Sequence, residues 1–200
     1  MNRGAALKSP PVCVRLSLVL SASLSLPAAA LLAQSPAGAT RHVSVAPVAA
    51  LPADVSSLDG IVKAYYEVIS APAGRPREWS RDRTLYVPDV RFVEIREKKD
   101  GGVRALVESH QQYVDRTDAP LVRDGFDERE IHRVTQQFGS IANVFSTYES
   151  RRTAGGPVIA RGINSLQLFH DGTRWWIASA TWQDESRGRP ILKEYLPFGR

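Results

Sequence analysis

The stretch FDEREIHRVTQQFGSIANVFSTYESRRTAGGPVIARGINSLQLFHDGTRWWIASATWQD, residues 126–184, decides the fold. β-Branched and aromatic residues fill four runs, 126–138, 141–152, 161–170 and 174–184. Gly139-Ser140, residues 153–157 and Asp171-Gly172-Thr173 divide them. Runs of that composition, punctuated by Gly, Pro and Asp, predict antiparallel strands. His170-Asp171-Gly172-Thr173 predicts a two-residue hairpin, since Asp and Gly tolerate the positive φ angles of a type I′ turn. Long consecutive strands make one curved sheet, and its concave face requires a cover. Helices upstream supply the cover and leave a sheltered hollow beneath it.

Upstream, Leu58, Ile61, Val62, Tyr65 and Ile69 recur at helical spacing and share one face. Ser56 with Asp59 three residues on resembles a capping box, and Ala71-Pro72-Ala73-Gly74 ends the helix. Tyr66 sits beside the apolar stripe, where its hydroxyl can look into a cavity. Pro76 suits the first turn of a shorter helix through Trp79 and Arg83, which Val87-Pro88-Asp89 stops. Val90, Phe92, Val93 and Ile95 predict a strand, and residues 103–106 pair back across the polar turn 97–102. A third helix fits residues 107–121, with Leu106, His110, Tyr113, Val114, Thr117 and Leu121 on one face and Asp124-Gly125 closing it. After the last strand, residues 184–190 are polar, whereas 191–198 are apolar enough to dock over an opening or against a partner.

The front of the chain reads differently. Arg3, Lys8 and Arg15 come with no acid, residues 16–32 are mostly Leu, Val, Ala and Ser, and small residues precede Gln34. That order predicts a signal peptide over residues 1–33, and a secreted or periplasmic protein. Seventeen residues interrupted by Pro27 and four serines are too short and weak for a bilayer span, which takes about 20. No membrane association is expected after cleavage. Residues 34–55, rich in Ala, Pro, Val and Ser, read as a flexible leader, and residues 56–200 as the domain. The whole chain has 26 Lys+Arg against 21 Asp+Glu; removing the three basic residues of the first 33 leaves 23 against 21, or +2. That balance removes the electrostatic case for nucleic acid. The one cysteine, Cys13, leaves with the signal peptide, so thiolate chemistry and disulfides leave with it.

Helix, short helix, strand, helix and then long strands is the element order of the NTF2-like superfamily. Trp79 and Leu85 followed by Pro88-Asp89-Val90-Arg91-Phe92 resembles that family's short helix entering its first strand. Residues 125–131, 138–151, 161–168 and 171–177 resemble an exported SnoaL-like branch, and the likeness spans roughly 57–197. It implies an α+β cone: a curved antiparallel sheet covered on its concave face by about three N-terminal helices. It also implies a homodimer and a pocket for a small apolar or amphipathic molecule. Fold likeness does not choose an activity.

Candidate residues follow from strand alternation. On the second long strand Asn143, Phe145, Thr147 and Glu149 point one way, and Ala142, Val144, Ser146 and Tyr148 the other. His132 lies in the first long strand and has the side chain suited to proton transfer near neutrality. Glu149, in an apolar cavity, would have its pKa raised and act as a base; the alternative is an ion pair with Arg151, Arg161 or Arg91. A cofactor-free isomerase, dehydratase or cyclase would use His132 or Glu149 as base, with Tyr148 or Asn143 donating to a developing oxyanion. Trp176 and Trp182 share parity and either form an apolar ligand wall or pack as core, while Tyr66 is a separate candidate ligand contact. The remaining alternative is a protein-interaction module using the outer sheet face. No GxGxxG, phosphate loop, HExxH, CxxC or Gly-x-Ser-x-Gly occurs. Four scattered histidines make a dedicated metal site, like a cofactor, unexpected.

Overall fold

The structure, a computed structural model, describes residues 41–197. The expected signal peptide lies outside the described residues. Two short helices, α1 (Pro52–Val55) and α3 (Trp79–Arg83), flank α2 (Leu58–Glu67). Strands β1 (Tyr86–Glu97) and β2 (Val103–Ser109) form a hairpin, and α4 (His110–Asp124) follows. Strands β3 (Asp127–Phe138), β4 (Ile141–Arg151), β5 (Val158–His170) and β6 (Trp175–Asp184) complete the domain. The six strands form one sheet in the order β2-β1-β6-β5-β4-β3. Every pairing is antiparallel except β1 with β6, a parallel seam that follows from the crossover joining the hairpin to the meander.

The helices lie on one face of that sheet, as a one-sided α+β layer requires. Ile61, Val62, Tyr65 and Val68 on and just past α2, and Val114 on α4, are buried against Val144, Leu166, Ile177 and Ala180. Ser57, not Ser56, caps α2 by accepting the Gly60 N–H at 3.0 Å. Helix α4 begins three residues later than its apolar spacing suggests, because Ser109 and Gln112 form a reciprocal capping box there. Its C-terminal carbonyls are met by Gly125, Gly74 and the Arg77 guanidinium, which all bond Leu121 or Val122. At φ 73°, Gly125 turns the chain straight into β3.

Residues 43–55 differ from the flexible leader expected of 34–55. Asp115 accepts the Val43 N–H, and Asp54 is 4 % exposed under a two-pronged bond from Arg81, both contacts at 2.8 Å. Val43, Val45 and Ala50 pack on the core, so the small apolar residues read as linker are in fact docked. The hairpin after β5 is longer than the two residues expected. Asp171 fills it, accepting from the Thr173 and Arg174 N–H groups and from the Trp176 indole.

The part of the outer sheet face around Phe145 and Thr147 is covered by residues 191–197. A 3₁₀ turn (Lys193–Tyr195) places the Tyr195 carbonyl to accept the Thr147 hydroxyl at 2.6 Å, and its ring lies 5.0 Å from Phe145. The apolar tail docks on the outer sheet face and not, as was expected of it, over the cavity opening.

Candidate functional site

Three rows of cross-strand neighbours build the polar end of a hollow between α2, α4 and the sheet. The first joins Glu128, Ser150 and Ala160; the second joins Glu130, Tyr148, Gly162 and Asp184. The third joins Ser146, Asn164 and Trp182. All lie on the face that meets the helices. The hollow is a cavity of about 270 Å³ whose apolar walls include Ile69, Tyr86, Phe92, Tyr113, Leu121 and Trp182. Phe92, Tyr113 and Trp182 pack edge to face, with centroids 5.0–6.3 Å apart, which holds these walls rigid.

Glu128 is the chemically distinctive group. Its backbone is fixed by Ser70, which accepts the Glu128 N–H at 3.0 Å while donating to the Tyr66 carbonyl at the end of α2. Ser150 donates to its carboxyl at 2.8 Å. Burial pushes the Glu128 pKa up to about 7, the nearby Asp184 charge adds to the rise, and the Ser150 and Asn164 hydrogen bonds oppose it. Asn164 is itself locked: Tyr65 donates to its oxygen and its amide donates to Tyr66, both at 3.1 Å. Tyr66 continues through Ser146, at 2.6 Å, to Glu130.

Asp184 stands exposed at the rim and accepts the Tyr148 hydroxyl. That ring crosses the middle strand only because its neighbour there is Gly162, where a Cβ would overlap the Tyr148 oxygen and the Gln183 carbonyl. Burial and the Glu128 and Asp184 charges hold the Tyr148 pKa well above its ordinary value, so it is a hydrogen-bond donor throughout the neutral range. Tyr113 lines the cavity with its hydroxyl taking no hydrogen-bond partner among the described residues. On the β1 side, Arg116 bonds Glu108 and Glu94, and Glu94 also bonds Arg96.

Of the residues expected from sequence, Tyr148 and Trp182 line this cavity. Tyr66 lies behind Asn164, facing a second hollow of about 350 Å³ between α2 and the edge strand β3, which Glu128 also lines. His132, Glu149, Asn143 and Trp176 belong to the opposite face and are corrected out of the cavity. His132 pairs with Thr147 because the β3 register shifts by one between Glu130 and His132. Glu149 is paired with Arg151 at 2.5 Å, and Asn143 accepts from Gln167. A second register shift, at Ala178, puts Trp175 rather than Trp176 on the face of Trp182. Trp176 instead lies under Arg174, 3.7 Å from its ring centre. Glu128 was missed because its side of the strand is unreadable without the pairing; its register neighbour Ser150 is the signal that marks it. Among the described residues, no cluster of His, Cys, Asp and Glu is placed to hold a metal ion.

No family model matches the chain, and no curated protein matches it in sequence. Solved structures do. The chain is similar to the β subunit of a protein described as an aromatic-ring-hydroxylating dioxygenase from Novosphingobium aromaticivorans. That match has 17 % identity and a TM-score of 0.51, and it covers 66 % of this chain and 88 % of that one. It also resembles an NTF2-like protein of unknown function from Shewanella baltica, at 12 % identity and a TM-score of 0.42, over 63 % of this chain and 89 % of that one. A protein described as a dehydratase of the NTF2-like family from Streptomyces avermitilis matches at 16 % identity and a TM-score of 0.47, over 66 % and 96 %. The last two scores are too low to carry an argument, and identities this small speak of fold alone. With its mixed six-stranded sheet roofed on one face by helices, the chain adopts an α+β cone fold like that of the dioxygenase β subunit.

Proposed function

We propose that this domain binds a small, largely apolar molecule with one polar end in the cavity between α2, α4 and the sheet. The observation that carries the reading is the lining itself: rigid aromatic walls at one end, and Glu128, Tyr113 and Tyr148 converging at the other. A SnoaL-like, exported role is part of the proposal. Its support is the basic, then apolar, then small-residue order of the first 33 residues. Ala160 lines the cavity and is small, so Ala160→Trp fills the hollow from the sheet side. Aryl and alkyl probes are expected to bind the full chain with micromolar affinity, and to lose binding at least tenfold in Ala160→Trp. Probe binding that survives the substitution places the site elsewhere and ends the proposal. An N-terminus found at Met1 in the exported protein by mass spectrometry ends its export part.

One observation favours a second reading, cofactor-free proton transfer. A carboxyl held at about 7 inside a cavity, beside tyrosine donors, suits a general base. Glu128 takes the place in this scheme that sequence gave to His132 or Glu149. Deuterium exchange at the α-carbon of an aryl ketone is expected to rise through pH 7 and to vanish in Glu128→Gln. Exchange no faster than in buffer removes the enzyme reading and leaves the binding one.

A further inference from the structure

The cavity's charges do not balance, and the imbalance names the ligand's polar end. On the β1 side, Glu94 and Glu108 are matched by Arg116 and Arg96 through bonds of 2.6–3.1 Å. Those bonds occupy Arg116, the cavity's cation, on the side away from Glu128. Among the described residues Glu128 has no such partner. Its hydrogen bonds come from Ser150 and Asn164, both neutral, and the one charge acting on it is the like charge of Asp184. Asp184 in turn takes a tyrosine hydroxyl and, among the described residues, no Arg or Lys. An enclosed carboxylate without a cation is costly, and a protein normally supplies the cation or keeps the group neutral. Around these two acids stand the rings of Tyr65, Tyr113, Tyr148 and Trp182, which line the same space. Aromatic faces attract cations, and the Tyr113 oxygen is open to a donor.

We propose that the ligand of this cavity is an amphipathic amine, its protonated nitrogen placed between Glu128 and Asp184 and its apolar body among the rings of α4 and β6. The proposal rests on the cavity being a binding pocket, and it specifies what that pocket prefers. An anionic ligand would meet two carboxylates and an arginine already occupied, and a neutral one would leave Glu128 uncompensated. An ammonium instead supplies the missing charge and donates to carboxylates that retain accepting capacity.

Three probes of one shape separate these cases: 2-phenylethylamine, 2-phenylethanol and 3-phenylpropanoate. Each is titrated calorimetrically into the full-length protein at pH 7.5 and 150 mM salt, where surface attraction is largely screened. The amine is expected to bind at least tenfold more tightly than the alcohol, and the carboxylate more weakly than either. Glu128→Gln is expected to bring amine and alcohol within threefold of each other, and its circular dichroism and thermal midpoint show that the variant folds. Asp184→Asn, at the exposed rim, is expected to reduce the preference by a smaller factor. Equal binding of amine and alcohol, or a preference for the carboxylate, overturns the amine assignment while the pocket stands. Binding of none of the three overturns both.

Discussion

Glu128 shows how a residue's neighbours, more than its type, decide its chemistry. His132 stands out in the sequence because imidazole titrates near neutrality, yet it lies on the outer face, away from the cavity. An ordinary carboxylic acid reaches the same range by being enclosed. This has a consequence for stability. The native pKa of Glu128, about 7, is above the unfolded value of 4.5, so the folded state prefers the protonated form. The associated stability is fully present below pH 4.5 and is lost as pH rises through 7. The difference is on the order of 3 kcal/mol at most, since one pKa step is worth 1.36 kcal/mol. Glu128→Gln retains the shape and removes the titration. Urea unfolding is expected to find this variant less stable than or equal to the parent at pH 4.5 and more stable at pH 8. A parallel pH dependence of the two proteins would mean that Glu128 ionises in the folded state as freely as in the unfolded chain.

The strands and helices were legible at element scale because their signals are periodic and local: apolar spacing for α2 and α4, β-branched runs parted by Gly and Pro for β3 to β6. The sides of the strands were not. Alternation is a rule of period two, and one extra residue reverses everything after it. The shifts after Glu130 and at Ala178 do this twice, sending His132 outward and exchanging Trp176 for Trp175. No residue type announces a bulge here: Ile131 and Ala178 are ordinary strand residues. Gly162 was equally silent, since a lone glycine in a strand has several explanations. Its reason is the Tyr148 ring, which crosses directly above it to reach Asp184. Gly162→Ala is therefore expected to cost about 1–3 kcal/mol, the usual range for overpacking, and to displace Tyr148 from Asp184. Thermal unfolding reads the first effect. Ultraviolet difference spectroscopy at neutral pH reads the second as a change in the tyrosine absorption band. An alanine variant as stable as the parent would show that β5 has slack that the register does not reveal.

For the whole molecule, the two faces of the sheet do separate work. The inner face carries the cavity; on the outer face residues 191–197 cover the part around Phe145 and Thr147, while Val134, Phe138 and Ile141 stay exposed. Beyond β6, Glu185 accepts the Ile191 N–H at 3.0 Å and bonds Arg161, while Ser186 reaches Glu97. Thr147 is fully buried on the outer face, and its hydroxyl bonds the Tyr195 carbonyl. Glu149, two residues along and 6 % exposed, is paired with Arg151 in this covered zone. A chain ending at Pro190 loses the Ile191 and Tyr195 contacts and the ring packing on Phe145. Hydrogen bonds of about 1 kcal/mol each and an aromatic pair of similar size add up to roughly 2–4 kcal/mol of lost stability. The inner face is not touched by this segment, so probe affinity at the cavity is expected to stay within twofold. Tyr195→Ala, which removes the ring and leaves the backbone bond, is expected to show about a third of the loss. Denaturant midpoints and calorimetric titrations of the same two variants check both halves. A truncated chain that keeps its stability would make the tail a passive appendage. One that loses ligand together with stability would mean that the two faces are coupled through the sheet, against the division of labour inferred from their packing.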